Sequence, residues 1–376
     1  MKHAGKCPRS AVLLFLFAFV TLGVARGDPG VPAATVTKIE EAITAFMART
    51  NAPGLSVAIG LKGQLRFENG YGLANMENFV PAKGSTIYRL ASVSKPITAV
   101  AAMLLVERGV LKLDHTVGKW LPHLPAALHP ITVRQLLSHQ SGIRHYTAEE
   151  DDPTRHYPRH YESLGEALAI FKDDPLVHAP GTKMTYSTYA FTLLGVLIEK
   201  ASKQTYVDFV RANIFKPAGM IHSRAEDPQV IVLNRSAGYA KTREGGLRNA
   251  AFMDPSYKIP SGGWLSSVGD MVRFGLKLQS GTLLTAESVK QMTTMQGVAG
   301  GEDTFYGLGW IVEGGIPGTG RVPGLMWHGG VQQGVTTNLY MLSSERTVVA
   351  VMINLEGEGM SLANLAAEIT RIALVP

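Results

Sequence analysis

The chain has 376 residues, 45% hydrophobic and 18% charged, with a formal net charge of +6; this is a globular, enzyme-sized composition well able to bury a core. Four of the cations (Lys2, Lys6, Arg9, Arg26) and no acid lie in residues 1–27, so the remainder carries only +2 and no run of Lys or Arg. That balance gives no case for nucleic acid as a partner.

Residues 1–27 have a basic start, an apolar run over 11–20 and small residues near Ala25 and Gly27. This is the pattern of a secretory signal peptide, and the apolar run is short for a membrane span, which needs roughly 20 residues. The alternative is an uncleaved anchor. Cleavage after Gly27 leaves 349 of the 376 residues and removes Cys7, the one cysteine. The expectation is a periplasmic or secreted protein with no membrane span after cleavage, no disulfide, no thiolate metal site and no cysteine nucleophile.

Residues 36–48 place Val36, Ile39, Ile43, Phe46 and Met47 on one helical face. Residues 54–63 and 64–74 predict a β-hairpin and a third short extended piece, punctuated by Gly63 and Gly70. Helical period returns over 93–108, and 131–143 predicts a short helix stopping at Gly142. Residues 144–178, polar and rich in His and Tyr, form the expected long loop or lid. Further helices are expected over 186–201, over 206–220 ending near Pro217 and Gly219, and over 266–278 with Ser266 or Ser267 as cap. Strands are expected at 305–312, 335–342 and 347–354, and a closing helix at 361–374. Strands at both ends and helices between predict an α/β (α+β) fold: an antiparallel sheet flanked by terminal helices, with an all-helical lobe at roughly 110–250 inserted in one catalytic unit of residues 28–376.

The motifs of the common hydrolase elbow, zinc protease, P-loop and dinucleotide folds are absent. What stands out is ASVSKPITAV, residues 91–100. Pro96 fits only the first turn of a helix, so the helix starts close to Ser92, at the positive end of its dipole. Lys95, three residues on, projects from the same face. A buried lysine loses pKa, and a neutral Lys95 accepts the Ser92 proton and makes it a nucleophile. The bland alternative is a helix cap beside a solvated lysine. Tyr186 and Ser187 open the next apolar helix, where the Tyr186 phenol is placed to relay a proton to a leaving group. His328-Gly329-Gly330 leads into a strand; its glycines admit close backbone approach, and the Val331 N–H with that of Ser92 makes a candidate oxyanion hole. The bland alternatives here are a packed or capping tyrosine, an edge histidine and a turn. His156 and His160 flank Pro158 and read as a solvated loop rather than a metal site. His139 is expected to hold its own loop; Tyr146, Tyr189 and Trp327 line the cleft or pack.

The order Ser-Val-Ser-Lys, Tyr-Ser-Thr, His-Gly-Gly resembles the serine β-lactamase and penicillin-binding-protein superfamily, in particular its class C-like branch with LACTB-like, DD-carboxypeptidase and esterase relatives. The phrases YRLASVSKPIT, ITVRQLLSHQSGI, PGTKMTYSTYAFTLLG, IFKPAGM and YGLGW carry the likeness along most of the chain after residue 27. The resemblance implies a β-lactamase/transpeptidase-like fold and an acyl-enzyme mechanism without metal or other cofactor. It makes Ser92 the acylated nucleophile, Lys95 its general base and Tyr186 the tyrosine of a Tyr-x-Asn element. His328 takes the lysine position of Lys-Thr-Gly, and the amides of Ser92 and Val331 hold the oxyanion. Thr188, His328, Gly329 and Gly330 become substrate-binding residues. Two positions depart from the family pattern: Thr188 stands where many β-lactamases have asparagine, as in LACTB-like proteins, and His328 replaces a fixed cation. Both count against efficient β-lactam hydrolysis and leave acyl transfer intact. The expected activity is a secreted serine hydrolase acting on an amide or ester of a small molecule or peptide. A true β-lactamase and a penicillin-binding sensor that does not turn over remain alternatives.

Overall fold

The structure is a computed structural model describing residues 30–152, 154–301, 303–314 and 320–375; the expected signal segment, residues 1–27, lies outside them. Its centre is an antiparallel sheet built from the two ends of the chain. Strands β1 (Gly54–Leu61) and β2 (Gln64–Asn75) form a hairpin turned by Lys62 and Gly63, both at positive φ, as a two-residue type I′ loop requires. Strand β3 (Val80–Pro81) edges β2. From the C-terminal end come β4 (Ile311–Val312), β5 (Leu325–Gln332), β6 (Val335–Leu342) and β7 (Thr347–Ile353). The spatial order is β3-β2-β1-β7-β6-β5-β4. Registering Val57 with Val351 and Ile59 with Val349 joins the ends.

Alternation along these strands gives two apolar faces. Val57, Ile59, Val349, Val351 and Ile353 pack on helices α1 (Ala33–Thr50) and α5 (Gly359–Leu374), meeting Ile39, Ile43, Phe46, Leu362 and Ile369. Each such side chain, almost wholly buried, contributes roughly 1.5–3 kcal/mol. Ala58, Leu339, Ala350 and Met352 face the other way, into a core shared with helices α2 (Ser94–Glu107), α3 (Thr188–Ser202) and α4 (Val268–Gln279). The expected mixed α/β fold with an antiparallel sheet and terminal helices is the one observed. Helix α4 starts at Ser267, whose side chain accepts the Asp270 N–H.

Four local expectations change. Gly70 does not end a strand: β2 runs through it, and glycine is needed because a Cβ there would lie 2.4 Å from the backbone of Ala82 and Lys83. The helix in 131–143 is only Val133–Leu137, closed at its start by a Thr132/Gln135 capping box; it stops where His139 turns to φ 59°. Residues 305–310 form a turn rather than a strand, with Phe305 at φ 51° and Gly307 N–H on the Trp310 carbonyl, although Leu308 and Trp310 are fully buried. Apolar content without extended backbone imitates a strand in sequence. The 144–178 segment contains a short helix, Leu164–Ala167, whose buried Leu164 and Ala167 join the core.

Candidate active site

Ser92 sits in a 3-10 turn, Ala91–Val93, that feeds directly into α2. Ala91 holds φ 47°, a conformation costing a non-glycine residue of order 1–2 kcal/mol. The hydroxyl of Ser92 makes no capping bond; Val93 is the N-cap of α2 and Pro96 lies in its first turn. Instead Lys95 Nζ lies 3.0 Å from Ser92 Oγ and donates to the Ser261 carbonyl at 3.1 Å. Lys95 is completely buried, and burial, aided by the nearby Lys258, holds its amine well below the ordinary lysine range. The rings of Tyr186 and Phe191 lie 4.7 and 5.8 Å from Nζ. A lysine whose charge is disfavoured by burial, set beside a hydroxyl, is equipped to take its proton.

Tyr186 comes from the segment before α3, whose N-cap is Ser187: its Oγ accepts from Ala190 N–H and donates to the Arg144 carbonyl. Burial raises the Tyr186 phenol, against the effect of the Ser92 hydroxyl beside it. Thr188 lines the cleft and donates its N–H to His145 Nδ1 at 3.3 Å.

His328, Gly329 and Gly330 lie inside β5 rather than ahead of it. Gly330 stands against the nucleophile: a Cβ there would be 2.6 Å from the Leu90 carbonyl oxygen and 2.8 Å from Ser92 N. The Thr337 hydroxyl of β6 ties the same carbonyl at 2.7 Å. Val331, next in line, lines the cleft. His328 differs from the expected substrate-facing, part-time cation. Its Nδ1–H donates to the Gly329 carbonyl at 2.7 Å, so its bare Nε2 accepts the Tyr306 hydroxyl at 3.0 Å. Burial, with Lys95 and against the Gly329 carbonyl, pulls its pKa down to about 3. His328 is neutral and buried behind the cleft wall.

The same chain of hydrogen bonds corrects His139. Its Nε2 donates to Tyr306 at 3.1 Å and its Nδ1 accepts the Ser187 N–H, so it bridges three segments instead of holding its own loop. His156 and His160 are tied to 252–254, through the Phe252 N–H and the Asp254 carboxylate. Tyr146 lines the cleft, Tyr189 stacks on Phe171, and Trp327 packs on the far face of the sheet.

The cleft has a volume of about 280 Å³ and holds Ser92, Thr188 and Val331 with Tyr146, Lys258 and Gln332. Sequence patterns missed Lys258, Ser261, Tyr306 and Gln332. Only YGLGW signalled one of them, as part of a family phrase; the others enter through packing of distant segments.

Residues 39–374 match the family model described as Beta-lactamase. The chain therefore belongs to the β-lactamase family. It is 30% identical over 289 residues to the human "Serine beta-lactamase-like protein LACTB, mitochondrial", covering 60% of this chain and 53% of that one. The chain thus spans about half the length of these curated relatives. The structure of an octameric penicillin-binding protein homologue from Pyrococcus abyssi is 29% identical, with TM-score 0.76 over 90% of this chain and 77% of that one. A D-amino acid amidase from Ochrobactrum anthropi SV3 shares the fold at 22% identity, with TM-score 0.78 over 90% and 98% of the two chains. Among the described residues, no helix is long and apolar enough to cross a membrane.

Proposed function

We propose that residues 28–376 act as one serine hydrolase unit, its helical part spanning roughly 110–250, that cleaves an ester or amide through an acyl-enzyme on Ser92. The observation that carries this is the wholly buried Lys95 amine, 3.0 Å from Ser92 Oγ and anchored on the Ser261 carbonyl. With one N–H committed to Ser261, the neutral amine turns its lone pair to the Ser92 O–H. Ser92 attacks the carbonyl carbon, its proton passes to Lys95, and the N–H groups of Ser92 and Val331 bind the oxyanion. Tyr186 gives its proton to the departing oxygen or nitrogen and takes the one held by Lys95, and water then releases the acyl group as an acid, returning a proton to Ser92. Thr188, Gly329 and Gly330 shape the substrate path. The basic-apolar-small order of residues 1–27 supports export to the periplasm or medium; N-terminal sequencing of extracytoplasmic protein checks it, a retained Met1 counting against cleavage.

The neutral His328 supplies no fixed charge to a β-lactam carboxylate at the position where the family pattern has lysine. Purified protein is expected to hydrolyse p-nitrophenyl acetate and to take a fluorophosphonate label on Ser92, with Ser92→Ala losing at least about 10³-fold in turnover. Absence of both turnover and label in the wild type refutes the assignment. Nitrocefin turnover well above that of Ser92→Ala favours a true β-lactamase, and a permanent penicillin adduct on Ser92 favours a sensor.

A further inference from the structure

Lys258 is the second buried lysine of the cleft, and acylation by Ser92 and Lys95 leaves it without a task. It is 5% exposed and closes the 3-10 turn Ser256–Lys258, three residues ahead of the Ser261 carbonyl that holds Lys95. Its stem runs beside Gly262: a Cβ on that glycine would lie 3.6 Å from Lys258 Cδ, 3.7 Å from the carbonyl carbon of Ala91 and 3.3 Å from Gln332 Oε1. Gly262 thus faces the Lys258 stem, the nucleophile's turn and the end of β5 at once. The ammonium donates to the Tyr146 hydroxyl at 3.3 Å and lies 5.4 Å from the Tyr146 and Tyr257 ring centres.

Its charge is not answered by an acid. Among the described residues no carboxylate lies within ion-pair distance of Lys258. The adjacent buried carboxylate, Glu226, is shared by Arg89 and Arg235, so this wall holds three cations for one acid. At the rim, Glu150 is held by Arg144, and Glu356 takes the Gly334 N–H with Arg248 at 3.8 Å. Asp151, the remaining rim acid, is exposed. A second observation points the same way: Gln332, 9% exposed and lining the same cleft, has a buried amide nitrogen with no hydrogen-bond acceptor among the described residues. A buried cation and a buried N–H donor, both short of acceptors, make a deficit that an anion fills.

We propose that Lys258 and the Gln332 side-chain amide form an anion subsite of the Ser92 cleft, so that the preferred substrates carry a carboxylate. This rests on Ser92 being the nucleophile. Burial, with Arg89, brings the Lys258 pKa down to about 7 against the pull of Glu226 and Asp151; a bound carboxylate restores the charge.

The test compares matched esters that differ in one charge. Mono-p-nitrophenyl glutarate and its methyl ester place the carboxylate on the acyl side; 3-acetoxybenzoate and its methyl ester place it on the leaving group. The wild type is expected to favour the acid by tenfold or more in kcat/KM in at least one pair. Lys258→Met is expected to cut that preference by about 10–100-fold, and Gln332→Leu by a few-fold. The preference ratio is the readout because loss of the Lys258 charge also acts on Lys95, equally for both members of a pair. A wild type without preference in either pair overturns the subsite, as does an unchanged ratio in Lys258→Met; if that variant fails to fold, the wild-type ratio decides. If nothing is turned over and Ser92 takes no label, the acyl-enzyme assignment fails. Binding to Ser92→Ala then decides the subsite alone: glutarate raises its Tm and glutaramide does not, and equal effects refute it.

Discussion

Lys95 is buried, and among the described residues no acid pairs with it. Its lowered pKa serves the proposed chemistry and burdens the fold, because burial disfavours the charged form that the unfolded chain prefers at neutral pH. Below its depressed pKa the folded protein carries the full penalty. As pH rises from there towards the ordinary lysine value of about 10.4, the unfolded state binds more protons than the folded state, and the penalty shrinks. Lys95→Met is therefore expected to abolish Ser92 labelling while raising stability at pH 7 by about 1–3 kcal/mol, or roughly 2–6 °C in Tm. Thermal scans at pH 7 and pH 10 check this; the gain narrows at pH 10. A variant less stable than wild type at pH 7 contradicts the account. The pairing of Ser92 with Lys95 was legible in the sequence, since the three-residue spacing and Pro96 fix one helical face. The positive φ of Ala91 was not, because alanine gives no sign of left-handed backbone, and the environment of Lys95 depends on Lys258 and Ser261, more than 160 positions away.

At the scale of elements, the cleft is braced by a chain of neutral hydrogen bonds with a fixed direction. The Ser187 N–H donates to His139, His139 to Tyr306, Tyr306 to His328, and His328 to the Gly329 carbonyl. It connects the start of α3, which carries Tyr186, to β5, which abuts Ser92. Burial lowers both histidines and raises Tyr306, so no member carries charge near neutrality. Tyr306→Phe removes a hydroxyl that serves as both donor and acceptor, leaving two buried imidazole nitrogens unpaired. The expected cost is roughly 2–4 kcal/mol, read from the urea midpoint. The rate of fluorophosphonate labelling should fall about tenfold as Tyr186 loses its support; an unchanged midpoint would remove the chain from the account. The glycines of His328-Gly329-Gly330 signal a close backbone approach in the sequence, and Gly330 makes one against the Ser92 turn, but His328 is a buried neutral group rather than the expected substrate-facing, part-time cation. The error has a physical source. Whether an imidazole is a cation or a neutral strut depends on its second partner, and that partner, Tyr306, sits in a turn whose apolar residues imitate a strand.

For the whole molecule, the sheet closes only when residues near position 55 meet residues near position 350. The pattern of strands at both ends showed this arrangement, while the strand order and the close approaches at Gly70 and Gly330 came only with the fold. Such long-range pairing delays folding, because loop closure precedes the contacts that stabilise it. One side chain locks the junction. Asn354, fully buried after β7, accepts the Gly54 N–H at 2.8 Å and donates to the Leu73 and Ala74 carbonyls at 3.0 and 3.3 Å. It joins both strands of the N-terminal hairpin to the C-terminal strand. Asn354→Ala leaves a buried N–H and two carbonyls without this partner and is expected to cost roughly 2–4 kcal/mol. Asn354→Asp keeps the acceptor for Gly54 but turns an anion towards two carbonyls, so it should be worse than alanine at pH 7. Desolvation and those carbonyls raise the aspartate pKa in the folded state. The folded state then binds more protons than the unfolded one between the unfolded value, about 3.9, and the raised value, so stability returns as pH falls through that window. Urea titrations at pH 7 and pH 5 separate the two variants: the aspartate variant recovers relative to alanine at the lower pH if the junction depends on these three hydrogen bonds. Parallel behaviour of the two variants would assign the loss to packing alone.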